Sequence, residues 1–355
     1  MSSVSFVLPV GGGSGGAHSV VQEVDAMRDL GVEARILINR NNAEGFRTLY
    51  DRFPWISEGG LVPFDTSKDL TALVGDTTVV VATTNTSVHT IAEAIAGTRG
   101  AAFRTAYYVQ DYEPLFYSAG SMDHATAVSS YAMLRGCSYF AKTSWLTGIL
   151  RAAHGHDAQQ VLPSIDHGLY RPTRRPPAPR RVVAAMVRPS TPRRAPRRTL
   201  RMLDRLARGE FGAVDVLAFG TTADEMAAFG LTLPDGVTLM GRLRQAQVAE
   251  MLRVADLFLD LSDYQAFGRT AAEALACGCI ALAPALGGAS DFIIDGVNGF
   301  MADTTDEAAV ATAIRRMLSL SEAELRAMRL AGMEAVAGFT PVRAAISELR
   351  ALGLA

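Results

Sequence analysis

Short apolar runs rich in β-branched residues recur along this chain, each followed by a stretch whose apolar residues return at helical spacing. An uninterrupted apolar run reads as a strand buried on both faces, which requires a parallel sheet covered by helices. Residues 4–8 form such a run and lead into a glycine turn. Val20, Val21, Val24, Met27 and Leu30 then share one helical face, and Gly31 is placed to stop that helix. Further strands are expected at 34–38, 78–82, 106–110 and 138–141, with helices at 87–96 and 143–153 among them. The pattern breaks at 170–181, where RPTRRPPAPRR excludes regular structure. It resumes with strands expected at 182–187, 214–219, 237–240, 256–259 and 279–283.

A chain of 355 residues exceeds the size at which one core stops growing, and 49% hydrophobic content is enough to fill two. The expected organisation is a first doubly wound domain at 1–168, a Pro/Arg-rich linker at 169–181 and a second such domain at 182–335. A C-terminal helix at 336–355 is placed to pack back on the first domain. Open α/β sheets bind ligands at the carboxyl ends of their strands, so two domains facing each other would put a site in the cleft between them.

The bulk numbers exclude several classes. A net charge of -2 does not suit a general polyanion binder. Cys137, Cys277 and Cys279 are too few and too unevenly spaced for a disulfide framework or a zinc site, and Cys277-Gly278-Cys279 has the wrong spacing for a redox pair. Small buried residues in a reducing compartment are the expectation. The N-terminal residues lack a signal-peptide pattern and no segment is apolar for long enough to span a bilayer. A cytoplasmic protein is expected, with the inner face of the cell membrane, and so peripheral membrane contact, as a second option.

Gly11, Gly13 and Gly16 satisfy the spacing G-x-G-x-x-G between a strand and a helix. Dinucleotide binding also asks for an acidic residue about 20 positions on, and Asn39 and Arg40 stand there instead. Phosphate or acceptor contact through Gly15, Gly16 and His18 is one reading, and a tight turn is the other. Arg174, Arg175, Arg180 and Arg181 read as solvated linker charge. Arg188 follows an expected strand and Arg193 is expected at a helix start, so the two guanidinium groups are candidates to grip a diphosphate, against surface ion pairing as the alternative.

Residues 257–300 carry the most information. Gln265, Ala266, Phe267 and Gly268 lead from a strand into a helix opening with Arg269 and Thr270 and carrying Glu273 among alanines. A buried lone Glu is costly unless donors reach it, and sugar hydroxyls are such donors. Gly287 and Gly288 form a second glycine loop after the next strand.

Taken in order, Ala255-Asp256 to Ser262, Phe267-Gly268, Glu273-Ala274, Gly278, Gly287-Gly288, Asp291, Asp295-Gly296 and Gly299 resemble the donor domain of the retaining glycosyltransferases of family 4. Arg188 and Arg193 match that family's Arg and Lys, and Ser164-Ile165-Asp166 to Pro172 is similar to its inter-domain strand end. Gly15-Gly16-Ala17-His18, residues 107–117 (YYVQDYEPLFY) and 187–195 (VRPSTPRRA) look like a subgroup that includes bacterial rhamnosyltransferases building cell-surface glycans. The resemblance implies an α/β chain of GT-B fold, two Rossmann-like doubly wound domains facing across a cleft. It implies transfer of rhamnose or another hexose from a dTDP-, UDP- or GDP-sugar to a glycan or lipid-linked acceptor, with retention and without metal or cofactor. Arg188, Arg193 and Arg242 would face the nucleotide and Glu273 the ribose, with Gln265, Ala266, Phe267, Gly268, Arg269, Thr270, Gly287 and Gly288 as further donor contacts, and Gln110 and Asp111 would face the sugar. Two departures stand out. Gln265 occupies a position where the pattern has Glu, and Gln110-Asp111 stands where many members have His-Asp. Gln can accept a hydrogen bond there but brings no charge. Tyr107, Tyr108, Tyr112 and Tyr117 are either core aromatics or an acceptor wall. A sugar-nucleotide epimerase on the same scaffold, using Asp111, Glu113 and Asp166, is the alternative, and a nucleic-acid-binding protein using the 171–208 arginines is the remote one.

Overall fold

The computed structural model describes residues 2–96, 103–174 and 179–355; Arg175 and the middle of the expected linker, 175–178, lie outside them. The chain forms two compact units, Met1–Ser164 with Phe339–Ala355, and Ile165–Gly338.

In the first unit the strands are β1 (Ser3–Val7), β2 (Glu33–Asn39), β3 (Leu61–Phe64), β4 (Val79–Ala82), β5 (Arg104–Val109), β6 (Ser138–Ala141) and β7 (Gln159–Gln160). They form one sheet in the order β3-β2-β1-β4-β5-β6-β7, with every pairing parallel. All four residues of β4 are buried, the signature of a central parallel strand. In the second unit β8 (Arg181–Met186), β9 (Val214–Phe219), β10 (Val237–Leu239), β11 (Leu257–Leu259), β12 (Ile280–Pro284) and β13 (Phe300–Ala302) lie in the order β10-β9-β8-β11-β12-β13, again all parallel. Both are Rossmann-like layers, as the alternation in the sequence required.

The expected strands sit within one or two residues of those observed. β3, β7 and β13 were not anticipated. β3 contains Pro63, which a strand tolerates at a sheet edge, and β7 is two exposed residues with no periodic signal. Gly31 does end the first helix, Gly15–Asp29, with φ +80. Leu30, however, is 43% exposed at the helix cap and does not belong to the buried face.

The helix Pro341–Ala351 packs on the helix Gly15–Asp29 and buries Ala344, Ala345 and Leu349. A buried polar cluster lies beneath it. Glu23 accepts from Tyr108 Oη at 3.1 Å and from Ser164 Oγ at 2.7 Å, and Lys142 Nζ stands 3.2 Å from the same carboxylate. Glu348 is fully buried beside Glu23. Its pKa is well above the carboxylate range because burial penalises its charge and Glu23 repels it. Elsewhere Gly45, inside the helix Arg40–Leu49, has no atom within 4 Å of where a Cβ would sit and no positive φ. Gly45→Ala should therefore raise stability by about 0.5–1 kcal/mol through helix propensity alone, visible as a small increase in urea midpoint; a decrease would contradict this packing.

Candidate functional site

The helix Arg269–Ala276 starts from Gly268, whose φ of +88 suits a residue without Cβ. Ala271, Ala272, Ala274 and Ala276 are buried, so small side chains let the helix lie close to the sheet. Ahead of it, Gln265 forms an isolated parallel bridge with Gly287. The Gly288 N–H donates to the Gln265 carbonyl at 2.8 Å, and the Gln265 N–H donates to Leu286 O at 3.3 Å. The two loops are thus zipped together, and Gly287, at φ +123, sits where a Cβ would fall 2.0 Å from Gln265 O. The Gly288 amide is thereby engaged by the neighbouring loop. Ala266 and Phe267 are buried, with Phe267 packed on Phe292 at 5.4 Å between ring centroids. Their side chains serve the core.

Glu273 is 4% exposed. Arg269 stands 3.5 Å from it, one turn earlier on the same helix, and Tyr170 lies close enough to favour its charged form. The Arg269 guanidinium thus supplies an opposite charge beside the buried carboxylate. Burial raises its pKa to about 7, with Arg269 and Tyr170 opposing the rise and Asp166 adding to it. Tyr170 was missed because it stands at the edge of a proline-rich stretch, and nothing in its local sequence announces a partner 103 positions away.

Arg188 follows β8. Its Nε lies 3.3 Å from Met186 Sδ, and a Cβ on Gly220 would lie 3.7 Å from that Nε. Although exposed by surface area, Arg188 is ringed by enough protein that desolvation lowers its pKa, followed by repulsion from Arg242, with Glu225 opposing. Arg242 itself is held by Glu225, with Nε 2.9 Å from Oε2. Arg193 lies in the single 3-10 turn Pro192–Arg194 that leads into the helix Pro196–Ala207, and its guanidinium is 5.5 Å from the centre of the Tyr264 ring. Arg181, expected as solvated linker, belongs to β8 and donates to Met317 O and Leu318 O at 3.1 Å each, satisfying carbonyls at a helix C-terminus. Arg198, Arg201, Arg205 and Arg208 carry the acidic partners Asp263, Glu307, Glu210 and Asp204, so that run is locally neutralised.

In the first unit, Gly15 and Gly16 open the first helix, where Ser14 Oγ accepts from Ala17 N at 3.1 Å. Gly16 leaves room for Gln110, whose Oε1 would lie 2.8 Å from a Cβ there. His18 Nδ1 is 2.8 Å from Tyr50 Oη, which also accepts from Gly13 N at 3.3 Å. Asp111 Oδ1 accepts from Tyr112 N at 2.9 Å. Glu113 is buried and accepts from Asn85 N at 3.0 Å, closing the start of the helix Asn85–Ala96; burial lifts its pKa to about 7. Tyr107 and Tyr108 are core residues, and Tyr112 is half-buried against Tyr131 and His154. Cys277 and Cys279 are buried thiols. Among the described residues no group of three or more His, Cys, Asp or Glu is arranged to hold a metal ion, and no helix is long and apolar enough to cross a membrane.

Across 99% of its length the chain superposes on all of Anabaena Alr3699/HepE in complex with UDP and glucose, with a TM-score of 0.80 at 16% identity. The chain has the GT-B fold. A sucrose-phosphate synthase from Thermosynechococcus elongatus agrees, at a TM-score of 0.76 and 16% identity over 99% of this chain and 98% of that one. Within the second GT-B unit, residues 216–331 match the model of the family described as glycosyl transferases group 1. A D-inositol 3-phosphate glycosyltransferase of Geodermatophilus obscurus is 36% identical over 98 residues, 28% of this chain and 22% of that one. Its counterpart in Segniliparus rotundus is 29% identical over 211 residues, 54% and 46% of the two chains. The O-antigen biosynthesis protein RfbC of Myxococcus xanthus is 33% identical over 184 residues, 52% of this chain and 13% of that one. The matched stretches thus span less than half the length of these relatives.

Proposed function

We propose that this protein is a glycosyltransferase that moves a sugar from a nucleoside-diphosphate sugar to a glycan or lipid-linked acceptor, with retention and without a metal. The observation that carries the reading is the place of Arg188, a guanidinium directly after β8 at the carboxyl end of a central parallel strand, where burial first and Arg242 second disfavour its charge against the opposing Glu225. A diphosphate placed there relieves the repulsion, and stabilising the departing nucleoside diphosphate is the demanding part of sugar transfer. The match over 216–331 and the UDP bound in the HepE structure support a nucleotide ligand. The similarity to RfbC supports an acceptor in surface-glycan assembly, and rhamnose is the sugar to try first. In this reading Glu273 orients the ribose, Arg193 assists from beside Tyr264, and Gln110 and Asp111 attend the sugar.

The test is a thermal-shift screen with UDP, dTDP and GDP beside inorganic diphosphate. At a hundred times Kd a ligand stabilises its site by about 2.7 kcal/mol, so one base should raise Tm by several degrees and Arg188→Ala should abolish the rise. No shift with any nucleoside diphosphate would sink the proposal. Consumption of a donor sugar nucleotide without acceptor or water addition would instead favour an epimerase.

A further inference from the structure

Gln265 is where this chain departs from the resembled pattern, and its surroundings explain how the departure is accommodated. Its Nε2 donates to Asp260 Oδ2 and, at 3.1 Å, is also within reach of Ser262 Oγ. Asp260 follows β11 and is itself 8% exposed; its Oδ1 accepts from Ser262 N at 3.1 Å and from Ser262 Oγ at 2.5 Å. Arg194 Nη1 approaches Asp260 Oδ2 at 3.9 Å. An ionised carboxylate only accepts hydrogen bonds, so the Gln265 amide has a single favourable orientation, with nitrogen inward and oxygen outward. Gln265 Oε1 takes no hydrogen bond among the described residues and is not sealed from solvent. The backbone on either side is pinned to the Gly287 loop.

We infer that Asp260 is a positioning residue that makes Gln265 a one-way acceptor, presenting Oε1 to a hydroxyl of the donor sugar. The acidic group has in effect moved one hydrogen bond inward. The contact with ligand becomes neutral and accept-only, and a Glu at 265 would face Asp260 across a hydrogen-bond distance. Two carboxylates that close share a proton instead of both ionising. This inference rests on the glycosyltransferase reading, because it needs a sugar beyond the nucleotide.

The experiment compares binding of UDP with UDP-glucose, and of dTDP with dTDP-glucose, by titration calorimetry. Asp260→Asn lets the amide turn over, and should weaken the sugar nucleotide about tenfold, the scale of one hydrogen bond, while the nucleoside diphosphate stays within twofold. Gln265→Glu should make sugar-nucleotide affinity fall as pH rises from 6 to 9, and the double variant Asp260→Asn, Gln265→Glu should remove that pH dependence and recover affinity. Circular dichroism melts confirm that each variant is folded. Equal loss of nucleoside diphosphate and sugar nucleotide in Asp260→Asn, or a pH-independent Gln265→Glu, overturns the positioning role. If the unmodified protein binds no nucleoside diphosphate, the functional reading fails first and the inference falls with it.

Discussion

Glu273→Ala will lower the melting temperature of the second unit by about 6–12 °C, besides weakening any nucleotide bound there. Removing the carboxylate takes the acidic partner away from Arg269, whose side chain is 10% exposed. Breaking a buried pair from one side costs about 3 kcal/mol, and a unit of this size loses about 2–4 °C per kcal/mol. Glu273→Gln keeps the hydrogen bonds and removes the titration. The folded-state pKa of Glu273 is about 7 against an ordinary 4.5. The proton-linked stability is therefore fully present below about pH 4.5 and is lost as pH rises through 7, about 3 kcal/mol in all. Urea unfolding at pH 5 and pH 8 should show that loss in the parent protein and a flatter profile in Glu273→Gln. An unaltered Tm in Glu273→Ala would show that the carboxylate is not the partner described.

Gly287→Ala is expected to be as damaging, about 3–5 kcal/mol, for a different reason. Its backbone has φ +123, and the added methyl would meet the carbonyl oxygen of Gln265 at 2.0 Å and its nitrogen and carbonyl carbon at 2.9 Å each. Those are backbone atoms tied into the bridge with Gln265, so no rotamer change relieves the clash. A strained positive φ adds to the cost. The zipped loops must separate, so nucleoside-diphosphate stabilisation should vanish together with several degrees of Tm. Native-like melting with intact ligand response would contradict the close approach of these loops.

Much of the architecture was legible beforehand because it depends on repeated local patterns. A parallel strand buried on both faces needs a continuous apolar run, as in β4 and β12, and such runs mark their own positions. Gly268 and Gly287 announced tight backbone before any contact was known. The site was legible as a set of residue types and not as a set of partnerships. Ala266 and Phe267 stand out as part of the motif, and only the structure shows that their side chains are buried. Nothing near Arg193 in the sequence announces that its guanidinium lies over Tyr264. Asp260 drew no notice, since one carboxylate after a strand has no distinctive spacing.

What the amino-acid order determined by itself is the alternation of buried strands with helices, the break near residue 175 and the glycine positions where the chain must turn or approach closely. These follow from periodicity and backbone sterics, which act over a few residues. Only the tertiary structure decided that Tyr170 lies against Glu273, that the Gln265 amide donates to Asp260 and that the helix Pro341–Ala351 closes over Glu23. Most of these partners are far apart in sequence, and Asp260 and Gln265, though near, meet only because the loop after β11 folds back; burial then makes each pairing matter by removing the water that would otherwise serve any donor or acceptor.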